Sequence, residues 1–329
     1  MRCRQSLDFE FASALRHRLC RRFQSTVTSD VVIRSLTVNR SESVCGYYVV
    51  QVSSEQLFVK VEPKGDLRAL QLEDDLWRFL QHEGVPVPRR LPSLTGPHYD
   101  SFVCGNEHVQ IKVSEYIEYE SVKGSPDECV AFAKALSRLH LCLARCPLSE
   151  KIERRSSSVR VEAEHGLGFL KEVLLTRSYD SLFERSEWVQ RNRGALVRLV
   201  EEFDPSLRGN GLPSQVIHGD LHLGNLGWHN KEVVFLDLET MTQTFVPRIA
   251  DVAKLVFSIR NIFSVDTGPF LRVYADEMEE DVWDVGQVCA MWTQLAYDNI
   301  CRSLYACHRR QYVDPQDELD KFVGFLTVN

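Results

Sequence analysis

Apolar positions change their spacing along this chain, and each change marks an element. In the opening MRCRQSLDFEFASALRHRLCRRF, Phe9, Phe11, Leu15, Leu19 and Phe23 recur at helical spacing, which predicts an amphipathic helix over residues 7–23 packed on the part that follows. VVIRSLTV, YYVVQV and QLFVKVE are then β-branched or aromatic runs divided by polar turns, the pattern of consecutive antiparallel strands. RALQLEDDLWRFLQHEG returns to helical spacing and is closed by Gly84 and the breaker VPVP. HVQIKVSEYIEY reads as a further strand that runs into a short extended segment. From Ser125 onward the spacing is mostly helical, in DECVAFAKALSRLHLCLA, GLGFLKEVLL, EWVQRNRGALVRLVEEF, ADVAKLVFSIRNIF and VWDVGQVCAMWTQLAYDNICRSLYAC. One segment interrupts it: VIHGDLHLGNLGWHNKEVVFLDLE, residues 216–239.

This order predicts an α+β chain in two parts: a strand-rich part with one main helix over residues 1–113, and a mostly helical part over residues 120–329. The join, residues 114–119, has no flexible composition, so the two parts are expected to share a cleft rather than hang on a tether. There is no internal repeat. A length of 329 residues suits two lobes better than one core. The net charge of −7 argues against nucleic acid as a partner, since such binders carry a basic face. No apolar run is long enough to span a bilayer. The ten cysteines are scattered without a CxxC pair, and several sit in apolar runs. That fits buried free thiols in a reducing compartment, so a cytoplasmic protein, monomeric or homodimeric, is expected. The arginine-rich N-terminus could pass for a transit peptide, but Asp8 and Glu10 are out of place in one. A targeting role is the weaker alternative.

Between the apolar runs of residues 216–239 stand His218, Asp220, His222, Asn225, Asp237 and Glu239. Polar groups in a buried frame cost free energy unless each has a partner or a task. Asp220 and Asn225 lie five apart in HGDLHLGN, and Asp237 follows twelve residues later at the end of VVFLD. Phosphoryl transfer from a nucleotide needs a carboxylate near the attacking hydroxyl, oxygen ligands for magnesium and a cation on the phosphates. Asp220 suits the first task, Asn225 and Asp237 the second. Magnesium keeps much of its water, so one amide and one carboxylate suffice.

HGDxHxxN followed by an apolar strand and LDLE resembles the catalytic and metal loops of the aminoglycoside phosphotransferase and choline kinase group, small-molecule relatives of the eukaryotic protein kinases. The resemblance covers nearly the whole chain as an order of elements, and the two loop motifs are its specific part. It implies a bilobal protein kinase-like fold, with ATP as donor (GTP an alternative, since backbone holds the base) and Mg2+ as the metal. The γ-phosphate would move to a hydroxyl of a small molecule such as an aminoglycoside, an amino alcohol or a sugar. In this group a lysine on the third strand holds the α- and β-phosphates and pairs with a glutamate on the following helix. LFVKV places Lys60 mid-strand on the side of Phe58. At about 100° per residue, Glu73 falls between Leu80 and Trp77 on the buried arc, while Asp74 points away. An inward carboxylate wants a cation, so Lys60 and Glu73 are expected to pair.

The resemblance further implies that the carbonyl of Ser114 and the N–H of Tyr116, in SEYIE, bond the adenine edge, and that Asp251, in RIADVAKLV, bonds the catalytic loop backbone. The turn over the phosphates would be NRSESVCGYY, where Ser41 and Ser43 compete for the phosphate-facing position. His218 is read as a brace for the loop, and His222 as a brace or a substrate contact. Glu239 is read either as a ligand of a second metal or as a brace.

FVPRIADVAKLV follows LDLE almost directly, so the activation segment of a protein kinase is missing, which argues against a protein substrate. A kinase-like regulatory protein that holds nucleotide without turnover is the other alternative. The joint presence of Lys60, Glu73, Asp220, Asn225 and Asp237 weakens it. For the acceptor, EAEHGLGFLKEV and YADEMEEDVWD offer an acidic wall that could draw in a cationic amine, but a solvated helix face is the reading favoured here. Trp283, Trp292 and Tyr297 could stack on a sugar or hold a quaternary amine, against a plain place in the core.

Overall fold

Strand alternation decides how the first part is built. In the computed structural model, strands β1 (Val31–Ser35), β2 (Gly46–Val52), β3 (Glu55–Pro63), β4 (Tyr99–Cys104) and β5 (Glu107–Glu115) form one sheet in the order β1-β2-β3-β5-β4. All four pairings are antiparallel. The structure describes residues 11–15, 17, 19, 31–35, 46–52, 55–91, 99–104, 107–120, 122–157 and 212–295, with isolated positions between 165 and 201. Ser41, Ser43 and Tyr297 lie outside the described residues.

Alternate residues of a strand face opposite sides. In β3, Leu57, Val59 and Val61 turn to one face, where they pack with Val109, Ile111 and Val113 of β5. Helical residues 11–15, 17 and 19 (α1) cover that face with Phe11, Leu15 and Leu19, all buried. The expected amphipathic N-terminal helix is therefore part of this core. Phe58, Lys60 and Glu62 are left on the opposite face, where a cavity opens in place of a packed core.

Helix α2 (Leu67–His82) follows β3, with Asp66 as N-cap accepting the N–H of Arg68. Glu83 and Gly84 close it, the latter at φ 72°, a left-handed position that glycine takes without a Cβ penalty. Glu73 is buried as the periodicity predicts. Asp74 departs from its predicted outward position: it is fully buried and binds Arg78, one turn on, at 2.9 Å. The buried stripe is simply wider than a narrow arc, because α2 buries Leu70, Leu72, Leu76, Trp77 and Leu80 as well.

The chain forms two compact units: residues 1–123 with 224–239, and residues 124–223 with 240–329. The short strands β7 (Leu226–His229) and β8 (Glu232–Phe235) thus belong with the sheet unit. The N–H of Glu120 bonds the carbonyl of Trp228 at 3.0 Å, and the N–H of Phe235 bonds that of Pro86 at 2.9 Å.

In the second unit, α3 (Pro126–Leu143) opens on a capping box in which Ser125 and Glu128 satisfy each other's backbone N–H. It packs along α5 (Gly268–Met278), and α4 (Ile249–Phe263) precedes that helix. Strands β6 (Ser214–Val216) and β9 (Phe245–Pro247) pair antiparallel. The architecture is the α+β, protein kinase-like one expected from the order of elements. Cys129, Cys142 and Cys146 are buried free thiols, Cys289 is an exposed one, and burial pushes the Cys129 and Cys146 thiols up. Among the described residues, no helix is long and apolar enough to cross a membrane.

Candidate active site

A cavity of about 480 Å³ lies within the sheet unit, lined by Phe58, Lys60, Lys112, Asn225, Asp237 and Glu239 among others. Register explains the two lysines: Lys60 of β3 is paired directly with Lys112 of β5, so both side chains leave the same face of the sheet. Two ammonium groups side by side repel unless carboxylates separate them. Here Lys60 binds Glu62 at 3.0 Å, Asp237 at 3.2 Å and Glu239 at 2.7 Å. Lys112 binds Glu62 at 2.8 Å, Glu73 at 2.9 Å and Glu239 at 2.7 Å.

The expected Lys60–Glu73 pair is thus corrected. Glu73 binds Lys112 and Arg90, and Arg90 in turn stacks 3.9 Å over the Trp77 ring. Lys112 and Arg90, the more buried cations, take the helix carboxylate, and Lys60 is left to Glu62, Asp237 and Glu239. Glu239 shares its oxygens between both lysines.

Burial alone would lower the Lys60 ammonium, but Glu239, Asp237 and Glu62 raise it above the ordinary lysine range. Lys112 is likewise raised against its own burial, by Glu73, Glu239 and Glu62. Burial would raise Glu62, yet Lys112 and Lys60 hold its carboxyl at about 2. Glu239 is pushed up, by burial first, with Lys112 and Lys60 opposing. Both lysines therefore stay charged at neutral pH, which is the state a polyphosphate requires.

Lys112→Met is expected to lower the free energy of unfolding by about 3 kcal/mol, because Glu73 and Glu239 would lose a buried cation. The shift in urea midpoint at unchanged slope checks it.

A hairpin brings the two presumptive oxygen ligands together. Leu226 pairs with Phe235 at its base, and the N–H of Leu236 bonds the carbonyl of Asn225 at 2.9 Å. Its tip is Asn230-Lys231, with φ 50° and 66°, the positive pair that a two-residue hairpin turn requires. Twelve residues of separation are so folded back on themselves. Asp237 also has a positive φ, 52°, a strained backbone that persists where the surroundings impose it, often at functional sites. A neutral amide oxygen and a carboxylate facing one cavity are hard donors that fit a small divalent cation completed by water and phosphate oxygens. Among the described residues, no group of three or more His, Cys, Asp or Glu is gathered into a protein-only metal cage.

Ser114 and Tyr116 both line the cavity, but the adenine contact assigned to the N–H of Tyr116 needs correction. That N–H donates to the carbonyl of Gln56 at 3.1 Å. The β3–β5 pairing, which matches Leu57 with Glu115, continues to this bond and takes the donor.

The loop carrying Asp220 is built in the second unit by a polar stripe on α4. Asp251, fully buried, accepts the N–H of His218 at 2.7 Å and that of Gly219 at 2.9 Å, and binds Nε2 of His140 at 3.1 Å. A carboxylate only accepts, so Nε2 of His140 donates to it, while Nδ1 lies 2.6 Å from the Tyr274 hydroxyl in a second hydrogen bond. Burial alone would raise the Asp251 carboxyl, but His140, His218 and the Gly219 N–H hold it below the usual range. One turn along, Lys254 donates to the carbonyl of Gly219 and lies 3.5 Å from the Asp220 carboxylate. One turn further, the Ser258 hydroxyl accepts the N–H of Leu223 at 3.2 Å.

His218 is fully buried, and its Nδ1 accepts the N–H of Asp220 at 3.4 Å, as a brace would. His222 is half exposed, 3.9 Å from Asp220. Gly219 sits at φ 80°, and a Cβ there would collide with the Thr244 side chain. Sequence reasoning missed Lys112, Arg90, Lys254 and Ser258. Signals were present: Lys112 stands mid-strand in VQIKV as Lys60 does in LFVKV, and Asp251, Lys254 and Ser258 follow helical spacing.

Known proteins show the same arrangement of elements. An aminoglycoside-3'-phosphotransferase of type VIII superposes with a TM-score of 0.58 at 22% identity, over 88% of this chain and 99% of that one. The choline kinase LicA from Streptococcus pneumoniae superposes at 0.55 with 16% identity, over 97% and 99%. The amicoumacin kinase hAmiN in complex with AMP-PNP, Ca2+ and Ami superposes at 0.54 with 14% identity, over 88% and 86%. The chain spans a third of the length of a curated relative that it matches, a tRNA-dihydrouridine(20a/20b) synthase-like protein from Mus musculus, 24% identical over 112 residues, 34% of this chain and 33% of that protein. Residues 38–288, most of the chain, match the family whose members are described as phosphotransferase enzymes. The chain therefore belongs to the phosphotransferase enzyme family.

Proposed function

We propose that the chain is a small-molecule kinase that moves the γ-phosphate of ATP to an alcohol hydroxyl. The observation that carries this reading is the cavity of the sheet unit, where two charged lysines face an amide and a carboxylate brought together by one hairpin. Lys60 takes the α- and β-phosphates in place of its present acids. Asn225 and Asp237 would hold Mg2+. That ion, when bound, supplies neutralisation of charge at the β- and γ-phosphates. Asp220 orients the acceptor hydroxyl and accepts its proton late in the transfer. The nucleotide base lies beside Ser114, which lines the cavity, and GTP remains an alternative donor.

The test is incubation with γ-labelled ATP, magnesium and fractionated small-molecule extracts. Label is expected in a metabolite fraction, only with a divalent cation present. Asp237→Ala is expected to remove metal-dependent nucleotide binding measured by equilibrium titration. Label found on polypeptide and in no metabolite would sink the small-molecule reading.

A further inference from the structure

Lys60, read above as the phosphate cation, already has a full set of acids. Glu62, Glu239 and Asp237 bind it at 3.0, 2.7 and 3.2 Å, and its ammonium lies 5.4 Å from the centre of the Tyr47 ring. A polyphosphate oxygen can take that ammonium only if these carboxylates let go of it. A carboxylate that loses its cation in a partly buried place is destabilised. The Glu62 and Glu239 side chains are 21% and 26% exposed, so water makes up only part of the loss. Asp237, the most exposed of the three at 39%, is the residue read above as a metal ligand.

Sheet register supplies a second cation for the other two. Lys60 and Lys112 are direct cross-strand partners on one face, and Glu62 and Glu239 each bind both of them. Lys60–Glu62, Glu62–Lys112, Lys112–Glu239 and Glu239–Lys60 close a ring of alternating charges, with contacts of 3.0, 2.8, 2.7 and 2.7 Å. Taking Lys60 out of this ring leaves Glu62 and Glu239 each in contact with the Lys112 ammonium. Lys112 is held in place by a further acid, Glu73 of α2 at 2.9 Å, and its own side chain is only 7% exposed. Glu73 in turn is fixed by Arg90.

We propose that Lys112 is a positioning residue for nucleotide binding: it keeps Glu62 and Glu239 paired when Lys60 turns to the phosphates, and so makes Lys60 available to them. The proposal rests on the reading of Lys60 as the phosphate cation. It gives Lys112 a task that differs from direct attraction of phosphate, because Lys112 acts through the acids that it shares with Lys60.

A double-mutant cycle on ATP affinity tests it, by calorimetric titration of the intact chain in the presence of magnesium. Lys112→Gln keeps a hydrogen-bond donor for the acids and removes the charge. It is expected to weaken ATP binding at least about tenfold, while Lys112→Arg, which keeps the charge, stays within about threefold of wild type. Glu62→Gln alone should change affinity by no more than about threefold, since Lys112 already satisfies that acid. In the Lys112→Gln background the same substitution should recover at least about fivefold, because an acid that held Lys60 is gone. A lysine that only attracted phosphate, or only supported the fold, would leave the effect of Glu62→Gln equal in both backgrounds. Additive effects would therefore overturn the proposal, as would full affinity in Lys112→Gln or a gain of about tenfold from Glu62→Gln alone. The last of these can be measured even where Lys112→Gln does not fold. Transfer of γ-label, followed in parallel, separates the claims. The expected cycle without transfer counts against the kinase reading and leaves Lys112 in its place; additive effects with transfer do the reverse. Wild type that binds no ATP up to about 10 mM removes both.

Discussion

Asp220→Asn is expected to slow phosphoryl transfer about a thousandfold and to leave ATP affinity within about twofold. The carboxylate is half exposed in its own cavity, so losing its charge unfolds nothing. Its contacts with Lys254 at 3.5 Å and His222 at 3.9 Å are long for ion pairs. In the proposed reading the nucleotide is held by residues of the sheet unit, so binding should survive. Asparagine keeps the shape and loses the base. Single-turnover transfer to whichever acceptor takes label, with nucleotide titration beside it, measures both halves. A variant that transfers within about threefold of wild type would remove Asp220 from the role given to it.

Asp251→Ala should be the most damaging substitution for the fold, lowering the free energy of unfolding by about 3–5 kcal/mol and abolishing turnover with it. Three donors lose their acceptor at once: the N–H groups of His218 and Gly219 and the His140 ring. All three lie in or beside fully buried positions, where an unpaired donor cannot turn to water. Gly219 then has no reason to keep its left-handed φ, and Asp220 is its neighbour.

The pH dependence of this contribution has a definite sign. The folded state holds the Asp251 carboxyl below its ordinary value, so its stabilisation is full above the unfolded value of about 4 and fades as pH falls through the folded one. Asp251→Asn should therefore flatten the acid limb of stability against pH. Urea unfolding of wild type and variant across that range checks it, and parallel curves would remove Asp251 from the account.

Much of the molecule could be read before any coordinates. The strands showed in β-branched runs, α2 in its helical spacing and its breaker, and the loop in HGDLHLGN, because each is a local pattern within a few residues. The burial of Glu73 was legible for the same reason. Its partner was not, since the choice among Lys60, Lys112 and Arg90 depends on how far each strand runs and which cation arrives first. The Tyr116 N–H is a similar case: a backbone donor has no side-chain signature, and the start of β3 decides who takes it.

What the sequence alone determined is the element order, the family to which the motif around residues 220, 225 and 237 points, and the presence of a lysine on the third strand; periodicity and short motifs carry that information along the chain. What only the tertiary structure decided is pairing at a distance. Register set Lys112 opposite Lys60, a hairpin folded Asn225 back to Asp237, and one face of α4 carried Asp251, Lys254 and Ser258 to the loop of Asp220. Charges and hydrogen bonds act through space over a few ångströms, so their partners are fixed by packing and not by order along the chain.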